Sequence, residues 1–261
     1  MPRAENPTIA PTARFTDRVE NYRKARPGYP TEVVSLLAQR CGLTQTSTLV
    51  DVGCGTGLLA EGFCRFGCRV VGVEPNAAMR EAGQKHLAGF PNFKMLEGQS
   101  EAIPLPDAMA DFITAGQAFH WFDLFPTRQE FKRILKTGGW VVLVWNNREF
   151  TGSPFAEDYE NLVVRFGIDY PQVHQRGKST PAAFEFFFGN RSFCQKSYPN
   201  PQELDREGFV ARVLSSSYMP TRGHAEYPAM MQEVERIFCR HQQGGSVTVR
   251  YTTTVTFGQL T

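Results

Sequence analysis

The sequence contains no apolar run long enough to cross a bilayer, so no membrane-spanning helix is expected. Its first residues, Met1-Pro2-Arg3-Ala4-Glu5-Asn6-Pro7, lack the apolar centre of a secretion signal, and a cytoplasmic protein is the expectation. Excess charge is scarce as well. The formal net charge is +2, and the basic cluster of Arg14, Arg18, Arg23, Lys24 and Arg26 is interrupted by Asp17 and Glu20. That is not the footprint of a nucleic-acid surface, so neither nucleic acid nor membrane is expected as a partner. The six cysteines offer no paired C-x-x-C spacing. This argues against zinc; no metal is expected, and the thiols are read as reduced and mostly buried. What remains is an ordinary globular composition, 41% hydrophobic and 21% charged over 261 residues, enough for one large α/β domain or two small ones.

One stretch organises the chain: Leu49-Val50-Asp51-Val52-Gly53-Cys54-Gly55-Thr56-Gly57-Leu58-Leu59. An apolar run stops at three glycines, and Leu59, Phe63 and Phe66 then recur at helical spacing, which predicts strand, tight loop and helix start. Glycine permits so sharp a turn and a close approach of ligand to main chain. The loop and helix N–H groups then face whatever polar or anionic group sits there. No Lys-Ser or Lys-Thr pair follows, which excludes a phosphate-cradling P-loop. The third glycine comes one residue too early for the nicotinamide fingerprint, and Leu58 stands where that fingerprint wants glycine. A second strand, Arg69 to Glu74, ends in a carboxylate about twenty residues past the first glycine, the distance at which an acid accepts both ribose hydroxyls. A nucleoside without a pyrophosphate fits these features best.

Asp51-x-Gly53-x-Gly55-x-Gly57 followed by Glu74-Pro75 resembles the first two motifs of the class I S-adenosylmethionine-dependent methyltransferases. Further matches lie on both sides. Tyr22-Arg23-Lys24-Ala25-Arg26-Pro27-Gly28-Tyr29-Pro30 resembles a signature in front of the core in small-molecule members, whose N-terminal segment folds over the cofactor. The resemblance makes Tyr22 and Arg26 candidates for the methionine end, since a guanidinium matches a carboxylate bidentately. Glu97-Gly98-Gln99-Ser100 resembles the adenine loop after the third strand, with Gln99 where an aspartate is commonest; Gln99 and Ser100 are the candidates for adenine. Gln117-Ala118-Phe119-His120-Trp121-Phe122 follows the fourth strand, where the family places residues between cofactor and substrate. Gln117 becomes a candidate cofactor contact and His120 a candidate general base, its ordinary pKa lying near neutrality. Trp121 and Phe122, with Trp145 and Asn146 at the end of the fifth strand, become candidates for the substrate pocket.

Strands at Thr48–Val52, Arg69–Glu74, Phe93–Glu97, Asp111–Ala115 and Trp140–Trp145 alternate with helices at Gly57–Phe66, Asn76–Leu87 and Phe125–Leu135. Short connections between them imply a parallel sheet covered on both faces. Further on, Pro154–Phe166, Gly208–Leu214 and Pro228–His241 read as helices and Phe193–Tyr198 as a short strand. The strictly alternating Val247, Val249, Tyr251, Thr253, Val255 and Phe257 read as one final strand. The expected fold is α/β, a Rossmann-like doubly wound sheet, mostly parallel with an antiparallel C-terminal strand, plus a mainly helical lid. The expected divisions are a flexible arm over 1–14, an S-adenosylmethionine-binding core with an N-terminal cover helix over 15–150, lid insertions with one core strand over 151–245, and the final core strand over 246–261.

Residues 15–148 carry the specific resemblance. Beyond them the resemblance is looser: Ser215 to Tyr218, the final strand and the length resemble relatives of trans-aconitate methyltransferase, which implies O-methylation, in particular of a carboxylic acid. The expected partner is therefore a small-molecule substrate, the expected cofactor S-adenosylmethionine, and the expected assembly a monomer or homodimer. An Asn-Pro-Pro-Tyr motif after the fourth strand is absent, which argues against methylation of a base or glutamine nitrogen. Two other classes stay open: a nicotinamide oxidoreductase on a similar sheet, and a non-catalytic S-adenosylmethionine-binding module.

Overall fold

The computed structural model describes residues 25–170, 180–189 and 193–260. Tyr22 and the expected cover helix, which begins at Phe15, lie outside them. Seven strands form the main sheet: β1 (Thr48–Val52), β2 (Arg69–Val73), β3 (Phe93–Leu96), β4 (Ala110–Gly116), β5 (Leu135–Arg148), β6 (Phe193–Pro199) and β9 (Tyr251–Gly258). Their order is β3-β2-β1-β4-β5-β9-β6. β1 to β5 are mutually parallel, and β9 runs antiparallel to both neighbours. The order reverses between β1 and β4, and ligands of such sheets sit beyond the strand carboxyl ends at that switch point.

Alternation along the strands explains why both faces are covered. Leu49 and Val70 point into one apolar cluster with Leu37 of α1 (Glu32–Cys41) and Phe63 of α2 (Leu58–Phe66). Val50 and Val71 point into a second cluster, with Phe131 of α4 (Leu124–Ile134). Helix α3 (Ala77–His86) packs beside β3 and is capped by the Asn76 side chain, which accepts from Met79 N at 2.9 Å. α1 closes at Gly42, whose φ of 72° is left-handed.

A third apolar cluster joins α5 (Pro154–Phe166), α7 (Arg206–Leu214) and α8 (Tyr227–His241) to a two-stranded sheet of β7 (Gln202–Asp205) and β8 (Ser246–Val249). One expectation is corrected here. The final alternating stretch is two strands, divided at the exposed Arg250: β8 pairs with β7, and only β9 joins the main sheet. The aromatic run over Pro181–Phe188 is a helix, α6, and its Phe184, Phe187 and Phe188 belong to the second sheet-face cluster rather than to the outer helices. The six cysteines are free; Cys54, Cys64 and Cys68 are buried, Cys41 is half-buried, and Cys194 and Cys239 are exposed.

Candidate active site

Glycines at Gly53, Gly55 and Gly57 have φ of 67°, 57° and 83°, a left-handed run that L-residues avoid. Packing explains two of them. A Cβ at Gly53 would lie 2.6 Å from Ala118 Cβ, and one at Gly57 would lie 2.6 Å from Leu87 Cδ1. Space at Gly57 is thus filled by the protein itself, a return the sequence did not reveal. Gly53 and Gly55 line a cavity of about 250 Å³ at the carboxyl ends of β1, β2 and β4. Asp51 is buried beneath this loop, where it accepts from the Thr114 hydroxyl at 2.6 Å, and it is not on the cavity wall.

The opposite wall is Glu74. One of its carboxylate oxygens accepts from Gly55 N and the other from Asn76 N, each at 2.9 Å. Arg80 donates to the Glu74 and Pro75 carbonyls and on to Glu97, which fixes the end of β2. Each Glu74 oxygen keeps a lone pair for a ligand in the cavity it lines. Burial pushes the Glu74 carboxyl above its ordinary range, while the two backbone donors and Arg80 oppose this. Pro75, Gln99 and Ser100 line the same cavity; the Ser100 hydroxyl receives Thr127 Oγ1 at 3.2 Å. Asn76 and Met79 also face it, and neither was singled out from sequence.

Trp121 and Phe122, expected in the substrate pocket, stand on the wall of this smaller cavity instead. Trp121 ends and Phe122 follows a single 3₁₀ turn, Phe119–Trp121, whose middle residue, His120, goes the other way. His120, Trp145 and Asn146 line a second, larger cavity of about 530 Å³, as do Arg26 and Arg148. The Asn146 amide is already committed: it donates to Gly28 O at 3.1 Å, and its oxygen accepts from Thr253 at 2.6 Å and Asn200 at 3.2 Å. It thereby ties the chain after Arg26 to the end of β5.

Among the described residues, Gln117 is the one that lines both cavities. Its φ of 55° is left-handed, a costly conformation for a residue other than glycine and one that clusters at functional sites. Two bonds to the β5 end hold it, from its N–H to Val144 O at 2.9 Å and from Nε2 to Asn146 O at 3.1 Å. Among the described residues no group of His, Cys, Asp or Glu is placed to hold a metal ion. No described helix is long and apolar enough to cross a membrane.

A methyltransferase-domain family model matches residues 50–143. An uncharacterized methyltransferase-like protein of Schizosaccharomyces pombe is 30% identical over 247 residues, 92% of each chain. The chain belongs to the S-adenosylmethionine-dependent methyltransferases. Another uncharacterized methyltransferase of the same yeast is 31% identical over 152 residues, 58% of this chain and 59% of that one. Among solved structures, one assigned as a type II methyltransferase from Anaeromyxobacter dehalogenans has a TM-score of 0.64 at 18% identity, covering 90% of this chain and 97% of that one, a likeness of fold. S-adenosylmethionine is the cofactor, and the nicotinamide alternative falls away.

The residues present suit that methyltransferase cofactor. Glu74 keeps a lone pair on each carboxylate oxygen that could accept from a diol, and Gln99 and Ser100 line the same cavity. At about 250 Å³ the cavity is slightly below the common range of roughly 300–1,000 Å³ for ligand pockets.

Asp51 carries a separate consequence for stability. Burial raises its pKa from an ordinary 3.8 to about 6, against the lowering bonds from Thr114 and Cys54. The native state therefore holds its proton more tightly than the unfolded chain, and stability falls as pH rises from about 4 to 6. Two pKa units correspond to roughly 3 kcal/mol. Asp51→Asn is expected to flatten this slope and to gain on the order of 1–3 kcal/mol at pH 7 in urea unfolding. Equal slopes for wild type and variant between pH 4 and 6 would contradict the assignment.

Proposed function

We propose that this methyltransferase transfers its methyl group to a small-molecule acceptor held in the larger cavity, and that the reaction is O-methylation of a carboxylate. The observation carrying this reading is the meeting of the two cavities at Gln117. In it, Glu74 binds the ribose, Gln99 and Ser100 the adenine, and Arg26 the methionine carboxylate. Asp51, with Gly53, Gly55 and Gly57, shapes the loop from beneath and beside. Bound there, the cofactor supplies a methyl group on an already activated leaving group. The protein's work is then alignment and exclusion of water. Gln117 is held rigidly at the junction, and the aromatic walls from Trp121, Phe122 and Trp145 keep solvent out. His120 takes a proton from acceptors that arrive protonated; a carboxylate needs no such help. A cytoplasmic site of action suits the buried free thiols Cys54, Cys64 and Cys68.

Release of S-adenosylhomocysteine, measured over panels of small acids, alcohols and amines, tests this. Turnover is expected with acids, and His120→Ala is expected to retain their rate within about tenfold. Turnover confined to alcohols or amines, with His120→Ala losing roughly 10²–10⁴-fold, would contradict carboxylate methylation.

A further inference from the structure

The larger cavity carries an imbalance of charge. Among the described residues that line it, three are arginines, Arg26, Arg148 and Arg212, and none is a carboxylate. One carboxylate stands behind the wall: Glu160 pairs with Arg148 through one oxygen and accepts from Tyr170 through the other at 2.9 Å. Arg148 lies over the Tyr159 ring with Cζ 4.4 Å from its centroid, and its Nη1 is buried with no hydrogen-bond partner.

Arg212 is the stronger anomaly. It is 4% exposed in the last turn of α7, and its partners are neutral hydroxyls. Nε donates to the Tyr251 hydroxyl at 2.6 Å and Nη1 to the Ser216 hydroxyl at 3.1 Å. No carboxylate among the described residues pairs with it, and its Nη2 makes no hydrogen bond while the residue lines the cavity. A guanidinium stays charged in a protein, and a buried charge without a counter-ion is costly. Such a group persists where something else brings the opposite charge.

Resting on the reading of this cavity as the acceptor site, we propose that Arg148 and Arg212 form an oxyanion site that anchors an acid group of the acceptor other than the atom that is methylated. Arg148 comes from β5 and Arg212 from α7, so the anion bridges the main sheet and the outer helical cluster. Neither residue lines the smaller cavity. An oxyanion held by two guanidinium groups also has its lone pairs engaged and is a poor nucleophile, so the methylated atom is a different one, placed towards Gln117. Arg26 is left to the cofactor carboxylate, and the two remaining arginines define what the acceptor must carry. A carboxylate and a phosphate share the required chemistry of planar or tetrahedral oxygens facing a guanidinium fork.

The test uses the full chain saturated with S-adenosylhomocysteine at fixed ionic strength. Malonate and inorganic phosphate are titrated calorimetrically, with chloride as the reference. Saturable binding of malonate alone identifies a carboxylate anchor, and of phosphate alone a phosphate anchor. Arg212→Lys is expected to weaken that binding about tenfold or more, because a point charge replaces the fork. Arg148→Lys, on a different element, is expected to do the same and serves if the first variant does not fold. Absence of binding beyond chloride, or unchanged anion binding in a folded variant, would overturn the proposal while leaving the cofactor site intact. Failure of wild type to bind S-adenosylhomocysteine would instead overturn the reading of the two cavities, and the anion site with it.

Discussion

Glu74→Ala is expected to weaken S-adenosylhomocysteine binding by about a hundredfold or more. The carboxylate has two jobs, and alanine does neither. It orders the glycine loop against the start of α3 through Gly55 N and Asn76 N, both at 2.9 Å. In the proposed site it also presents its remaining lone pairs to the ribose. A hydrogen bond to a charged group contributes about 1.5–3 kcal/mol, and two of them account for a hundredfold or more in affinity. Glu74→Gln is expected to recover only part of the loss. One amide oxygen can still accept, but the NH₂ then confronts a backbone N–H that needs an acceptor. The raised pKa of Glu74 adds a pH signature: affinity in wild type should fall as acid protonates this carboxyl, and the fall should be missing in Glu74→Ala. Calorimetry at several pH values measures both effects. Affinity within fivefold of wild type in Glu74→Ala would mean that the ribose lies elsewhere.

Phe119→Ala is expected to cost about 3–5 kcal/mol, a large share of the roughly 5–15 kcal/mol that holds a domain together. Phe119 is fully buried and meets four rings: Phe187 at 4.9 Å, Phe184 at 5.9 Å, and Phe122 and Trp145 each at 6.1 Å between centroids. Those rings come from α6, β5 and the turn after β4, so the cavity left by alanine has walls anchored to several elements and collapses poorly. The function should suffer as well, because Phe119 sits between Gln117, at the junction of the cavities, and Trp121 and Phe122, on the smaller one. Urea denaturation should show a lower midpoint with an unchanged slope. A loss below about 1 kcal/mol would show that the aromatic cluster repacks freely.

The contrast between these two residues shows what the sequence made legible. Glu74 announces itself as a cavity-wall residue, because a carboxylate closing an apolar strand next to a glycine loop stands at the same strand ends as that loop. The strands β1 to β5 announce themselves too, since strands buried on both faces read as continuous apolar runs bounded by turns. Phe119 did not: its importance comes from α6, whose aromatic run has no visible partner in the sequence. The break between β8 and β9 was equally hidden. Residues 247–257 keep their period of two through Arg250 while the pairing partner changes from β7 to β5 and β6. Periodicity reports which face is buried and says nothing of which strand lies alongside. The 3₁₀ turn at 119–121 had a similar effect, assigning Trp121 and Phe122 to the smaller cavity and His120 to the larger. Arg212 left one faint signal, a lone charge within Phe209-Val210-Ala211-Arg212-Val213-Leu214. It becomes meaningful only when α7 is seen to bring that charge to the wall of the larger cavity.

The most direct test of the two-cavity arrangement is a crystal structure of the protein with S-adenosylhomocysteine bound. The expected result is the ribose on Glu74, adenine against Gln99 and Ser100, the amino-acid carboxylate at Arg26, and the sulfur beside Gln117, facing the cavity that holds Arg148 and Arg212. A sulfur turned away from that cavity, or a ribose that does not touch Glu74, would contradict it.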